Sequence, residues 1–191
     1  LLSTVLFITN NNNCDDFEMD IIDVGQGDGI FIAGDNNYFF DGGSTDVKNV
    51  GTYRILPFLK YKGVSHIDYW FVSHVDSDHI SGLLEALDSG YSIDNIVVDR
   101  YMLNEENYTD IESLAKERGI DILLMKMGDV VEEDNLRFTC VFAGVDEIDD
   151  INGNSLVLLG EYIDGEDTIS MLIGGDMTTD SEKFVLKSMS D

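Results

Sequence analysis

A chain of 191 residues can hold one sizeable core and is short for two ordinary domains, which commonly run to roughly 100–200 residues each. Its 43% hydrophobic content and single proline exclude a disordered polymer or a collagen-like repeat. The 38 acidic against 11 basic residues give a formal net charge of -27, which repels nucleic acid at long range and leaves no basic nucleic-acid-binding surface evident.

Residues 1–16 read as an N-terminal tail or linker, with an apolar start at 1–8 that is far shorter than the roughly 20 residues needed to span a bilayer. The asparagine run at 10–13 followed by Cys14-Asp15-Asp16 is a polar lead-in, and the domain proper is expected over 17–191. The sequence opens without Met, so it is expected to be an excerpt or a processed product. Strands are predicted at 17–24, 29–33 and 38–41, with Gly25, Gly27 and Gly29 punctuating the first turn and Gly42-Gly43 closing the third strand. A short helix follows at 57–62, with Pro57 early in it and Gly63 just past its end.

The next predicted strand, 67–73, is almost continuously apolar and therefore buried on both faces, with His74 at its C-terminal tip. Ile80, Leu83, Leu84 and Leu87 then follow helical spacing and Gly90 stops them, which places Asp78 and His79 at a helix N-terminus. Thr109 and Glu112 form a capping-box pattern ahead of a helix ending near Arg118, with Gly119 as terminator. The run V-E-E-D at 131–134 reads as an acidic turn. Strands are predicted at 120–124, 135–142, 155–162 and 168–173, and a last helix starts near Thr179 with Glu182 completing a capping box. Strands with interspersed helices indicate a mixed α/β layered fold.

The chemistry concentrates in S-H-V-D-S-D-H at 73–79, where His74, Asp76, Asp78 and His79 place four potential metal ligands directly after a buried strand. If the chain stays extended there, His74 and Asp76 project to one side, and the turn into the helix brings Asp78 and His79 from another. The competing reading is a solvated loop whose aspartate merely caps the helix. It is disfavoured because a run of Asp and His beside a wholly apolar strand is costly unless a cation offsets it.

Weaker signals have plainer readings. His66 has no partner spacing and is read as structural. The glycines at 25–29 lack the helix of a dinucleotide fingerprint and read as a tight turn. Asp150, Asn152 and Asn154 imitate the start of a calcium loop, but the glycine falls at Gly153 and not at the sixth position. Lys48, Arg54, Lys60 and Lys62 gather before the metal-like strand, either as a local basic rim or as a solvated helix face. Cys14 and Cys140 are too few for a disulfide framework and lack zinc-knuckle spacing.

The ligand run resembles the H-x-H-x-D-H signature of the metallo-β-lactamase superfamily, with aspartate in place of its second histidine. D-V-G-Q-G-D at 23–28, F-D-G-G at 40–43, N-G-N-S-L-V-L at 152–158 and I-G-G-D at 173–176 narrow the likeness. With them the chain, from about residue 18 to its end, is similar to the C-terminal hydrolase domain of the ComEC family of competence DNA-uptake proteins. The resemblance implies an αββα four-layer sandwich, expected here to lack its C-terminal elements. It makes His74 and Asp76 ligands of one divalent metal, Asp78 and His79 ligands of a second, and Asp176 the bridge. It makes Asp41 the buried aspartate that supports the metal loop. Asn154 and Ser155 stand where many superfamily members carry a third histidine, as weak ligands or contacts to a substrate oxygen.

The implied activity is metal-assisted hydrolysis with Asp78 as the catalytic residue that orients the attacking water. Three carboxylates and two imidazoles tilt the pair of metals toward manganese over zinc. The family supplies its last metal histidine after the I-G-G-D strand, and this sequence has no histidine beyond His79, so the second metal is expected to be weakly held. The leading function is a nuclease or phosphodiesterase domain acting on single-stranded DNA. It would lie at the extracytoplasmic face of the cell membrane beside the channel portion of its parent. Two alternatives are a stand-alone hydrolase of a small ester, lactone or phosphodiester, modestly favoured by the acidity, and a non-catalytic metal-binding module.

Overall fold

The computed structural model describes residues 17–189, so the tail assigned to 1–16 and the last two residues of the expected domain lie outside the described residues. The first strand, β1 (Glu18–Ile21), runs antiparallel to β2 (Gly29–Ala33), which pairs antiparallel with β3 (Asn37–Asp41). A π-helical turn at Gly51–Ile55 leads into helix α1 (Leu56–Lys62), with Pro57 in its first turn and Gly63 closing it in the left-handed conformation. Strand β4 (His66–Phe71) then lies parallel to β3, helix α2 (Ser77–Ser89) follows, and β5 (Ser92–Asp99) adds parallel to β4. Helix α3 (Tyr108–Arg118) precedes β6 (Asp121–Met125), the last parallel strand. The sheet order is β1-β2-β3-β4-β5-β6.

A second sheet of four antiparallel strands follows, built from β7 (Val130–Glu133), β8 (Leu136–Phe142), β9 (Val157–Asp164) and β10 (Asp167–Ile173) in the order β10-β9-β8-β7. Helix α4 (Thr179–Ser188) ends the described chain.

Period-two alternation decides what each face of the first sheet meets. Tyr38, Phe40 and Phe71 point into the sandwich, where their rings lie 4.9, 5.2 and 5.6 Å from that of Phe138 on β8. The intervening Phe39 and Trp70 stack at 4.3 Å on the opposite face. There the helical layer covers them with Ile55, Leu59 and Leu83. Outside the second sheet, α4 places Val185 against Val141, Phe142 and Val157. The layers are therefore helix, sheet, sheet, helix, as the αββα expectation holds.

Several local expectations are corrected. Residues 92–99 form a strand that the hydrophobic pattern did not announce, because Ser92, Asp94 and Asn95 dilute its first half. The acidic run at 131–134 is mostly strand, since Glu132 and Glu133 pair across to Arg137 and Leu136. The Thr109 and Glu112 capping box is not formed: Asn107 is the N-cap without a side-chain cap bond, and the Thr109 hydroxyl donates to the Glu106 carbonyl. At α4 the box is made by Thr178 and Ser181, not by Glu182. The expectation for 67–73 is met in part, as Asp68 and Tyr69 are only half-buried.

Candidate metal centre

The C-terminal ends of β3 and β4 converge with the start of α2, the turn after β10 and the short helical turn Asn152–Asn154 before β9. Glycines let these backbones touch. A Cβ on Gly43 would lie 2.2 Å from the Asp78 carbonyl carbon and 2.3 Å from the His79 nitrogen, and one on Gly27 would lie 2.3 Å from the Asp78 oxygen. No other residue allows the D-V-G-Q-G-D and F-D-G-G loops to seat the first turn of α2 so closely. Gly175, at φ +49, packs the I-G-G-D turn onto Ser73, where a Cβ would lie 2.5 Å from the hydroxyl.

Asp41 organises the centre from behind. Its Oδ1 accepts from the Ser73 backbone N–H at 2.7 Å, and its Oδ2 accepts from the Ser73 hydroxyl at 2.8 Å and from His79 Nδ1 at 3.0 Å. The His79 ring is thereby held with Nε2 lying 3.6 Å from Asp176 Oδ1. Hydrogen bonding to Asp41 and the surrounding carboxylates outweigh burial and push the His79 pKa up from 6.5 to about 9.

His74 is fixed by two hydroxyls. The Ser73 hydroxyl gives its proton to Asp41, and the Ser155 hydroxyl gives its proton to the Asn152 carbonyl at 2.7 Å. Both oxygens therefore offer only lone pairs to His74 Nδ1, at 3.1 and 3.4 Å, so Nδ1 carries the hydrogen. Nε2 is left as a buried acceptor without a hydrogen-bond partner, 3.8 Å from Asp76 Oδ2. Burial and the neighbouring His79 charge hold the His74 imidazolium below its ordinary range.

A carboxylate facing each Nε2, with that of His74 buried and lacking a hydrogen-bond partner, is an arrangement that a divalent cation satisfies. His74, His79 and Asp176 place ligand atoms within 4.8 Å of one another, so the residues present fit a metal. The structure brings Asp76 to the same place with its side chain 42% exposed. Asp78 stands half-buried in the first turn of α2, outside the groups whose ligand atoms converge within 4.8 Å. Asp41 is engaged on both oxygens and acts as a support.

The side-chain polar atoms of Asn154 and Ser155 are engaged within the protein. The Asn154 amide is consumed by backbone, its Oδ1 accepting from Val145 N–H at 2.8 Å and its Nδ2 donating to the Ile148 carbonyl at 2.6 Å. Ser155 is fully buried and supports His74 from behind. Nor do Arg54 and Lys62 form a free basic rim: Arg54 pairs with Asp23 at 3.1 Å, and Lys62 pairs with Glu18 and Asp20. His66 pairs with Asp68 at 3.2 Å, at the other end of β4.

One residue of the centre was not singled out in the sequence. Asp28, the last residue of D-V-G-Q-G-D, lies with Asp41 and His79 in a second group of converging ligand atoms. Burial and the charge of Asp41 raise its pKa. The available signal was its position one residue ahead of Gly29, which pairs with Asp41 across β2 and β3.

No family model matches the chain. Over 200 residues it is 27% identical to ComE operon protein 3 of Bacillus subtilis (strain 168), aligned along 96% of this chain and 25% of that protein. The chain thus spans about a quarter of the length of this curated relative. Among solved structures, the metallo-β-lactamase GOB-18 from Elizabethkingia meningoseptica superposes with a TM-score of 0.54 at 14% identity, covering 92% of this chain and 68% of that one. The class B3 di-zinc metallo-β-lactamase LRA-12 from an Alaskan soil metagenome gives 0.53 at 12% identity over 83% and 60% of the two chains. The Zn(2+)-bound PqqB from Methylobacterium extorquens gives 0.50 at 14% identity over 76% and 52%. The chain has the metallo-β-lactamase fold and carries, at the edge of its sandwich, a group of residues able to bind metal.

Proposed function

We propose that this chain is a metal-dependent phosphodiester hydrolase, the nuclease module of a ComEC-like DNA-uptake protein acting on single-stranded DNA. The observation that carries the reading is the convergence of the His74 and His79 imidazoles on Asp76 and Asp176, with the His74 Nε2 buried and unpartnered. The similarity to ComE operon protein 3 supports the choice of substrate and of setting. That setting is the extracytoplasmic face of the membrane, beside the channel portion of the parent. No helix among the described residues is long and apolar enough to cross a membrane.

In this reading His74 and Asp76 would hold one divalent cation and Asp78 and His79 a second, with Asp176 available as a further carboxylate ligand. The cations, manganese ahead of zinc, supply an acidified water and a Lewis acid for the phosphoryl oxygen. Asp78 orients the attacking water. Asp41 keeps the His79 Nδ1 proton, and Ser73 and Ser155 keep the His74 tautomer, so neither ring turns away. The N-terminus of α2, a helix of 13 residues, favours an anionic phosphate beside it. Asp76 and Asp176 are 42% and 41% exposed, which leaves the centre open to a polymer.

The test is incubation of the manganese-loaded chain with single-stranded DNA. Degradation that stops with chelator and in Asp78→Ala supports the reading; intact DNA, or Asp78→Ala as active as the parent, refutes it. The net charge of -27 favours a second reading, a small ester, lactone or phosphodiester substrate. Turnover of such a substrate with DNA untouched would assign it.

A further inference from the structure

The geometry points to Asp28 as an additional ligand of the metal centre, completing the coordination of the cation beside His79. The inference rests on the metal reading above and deepens it.

Asp28 is delivered by a built loop and not by chance exposure. Its carbonyl accepts from Gly42 N–H at 2.7 Å, which ties it to the F-D-G-G loop. Gly27 allows the backbone before it to lie against Asp78 and Gly43. Its carboxylate then converges with those of Asp41 and the imidazole of His79, all within 4.8 Å. Asp176 and Asp78 add their charges to the same place.

Within that group the two aspartates are not equivalent. Asp41 is saturated by three donors, two from Ser73 and one from His79. No donor among the described residues reaches the Asp28 carboxylate, which meets only charges, mostly of its own sign. A half-buried carboxylate held beside other carboxylates and without hydrogen bonds is destabilising by itself. A cation removes that conflict. Independently, His74 is 2% exposed with Nε2 unpartnered, and its converging group shares His79 with this one. The two converging groups meet at His79, which puts the Asp28 carboxylate within reach of a cation bound beside that ring. An oxygen ligand there also accounts for how the second metal is retained without a further histidine from the described residues.

The experiment measures manganese binding to the whole chain by titration calorimetry and by the loss of free-ion electron paramagnetic resonance. Wild type, Asp28→Asn and Asp28→Glu are compared, with the melting temperature of each in chelator. Asp28→Asn is expected to lose one equivalent or to bind it at least tenfold more weakly, and Asp28→Glu to recover part of the affinity. The chelated melting temperature of Asp28→Asn should equal or exceed that of wild type, because a like charge is removed. Binding within twofold of wild type overturns the inference while leaving the metal reading intact. So does a chelated Asp28→Asn that melts well below wild type, since Asp28 would then be structural. A wild type that binds no manganese overturns both.

Discussion

Asp41→Asn is the most informative perturbation of the centre, because it keeps the shape and removes the charge. Asp41 sits at φ +58, a conformation that asparagine tolerates nearly as well, so backbone strain does not confuse the result. The carboxylate accepts three bonds, from Ser73 N–H, the Ser73 hydroxyl and His79 Nδ1. An amide presents one oxygen and one NH2, so the charge-assisted acceptance from His79 and from the Ser73 hydroxyl is lost. A hydrogen bond to a charged group contributes about 1.5–3 kcal/mol, and Asn should lower stability by roughly that much.

The pH dependence gives a sharper signature. In the metal-free chain the His79 pKa is raised from 6.5 to about 9, which at ~1.36 kcal/mol per unit corresponds to roughly 3 kcal/mol. The folded state holds the extra proton, so this stability is fully present below pH 6.5 and is lost as pH rises through about 9. His74 titrates in the opposite sense: its lowered pKa withdraws stability as pH falls below 6.5. Urea unfolding in chelator from pH 6 to 9.5 should therefore show wild type weakening above pH 6.5, with Asp41→Asn much flatter. A wild type with constant stability across that window, or a variant with the same slope, would refute the assignment of Asp41 as the partner of His79.

Other perturbations test separate parts of the argument. Ser155→Ala removes one of the two oxygens that orient His74 and should weaken manganese binding about 10-fold by calorimetry, in the range for groups that orient ligands. Gly43→Ala places a Cβ 2.2 Å from the Asp78 backbone and should cost about 1–3 kcal/mol in urea unfolding while also lowering metal affinity, because the start of α2 must shift. The Cys140 thiol is buried and pushed up to about 12, so in a Cys14→Ser background it should resist thiol reagents at pH 8 until the chain is unfolded. Labelling of native protein at the rate of a free thiol would contradict its buried placement within β8.

The centre was legible in sequence where chemistry is local. An apolar strand followed by S-H-V-D-S-D-H places His74 and Asp76 beside α2, and left-handed glycines close α1, α2 and α3 at 63, 90 and 119. Residue type and spacing suffice there, because period and caps are properties of a few neighbouring residues. Sidedness was not legible. Asn154 and Ser155 occupy a suggestive position, yet their polar atoms are spent on Val145, Ile148, Asn152 and His74. Asp28 reads as the end of a turn until β2 and β3 pair and bring it beside Asp41. Arg54 and Lys62 look like a basic rim until acids from the β1 region neutralise them. Which donor meets which acceptor depends on backbones tens of residues apart, and only close packing of the loops around α2 decides it.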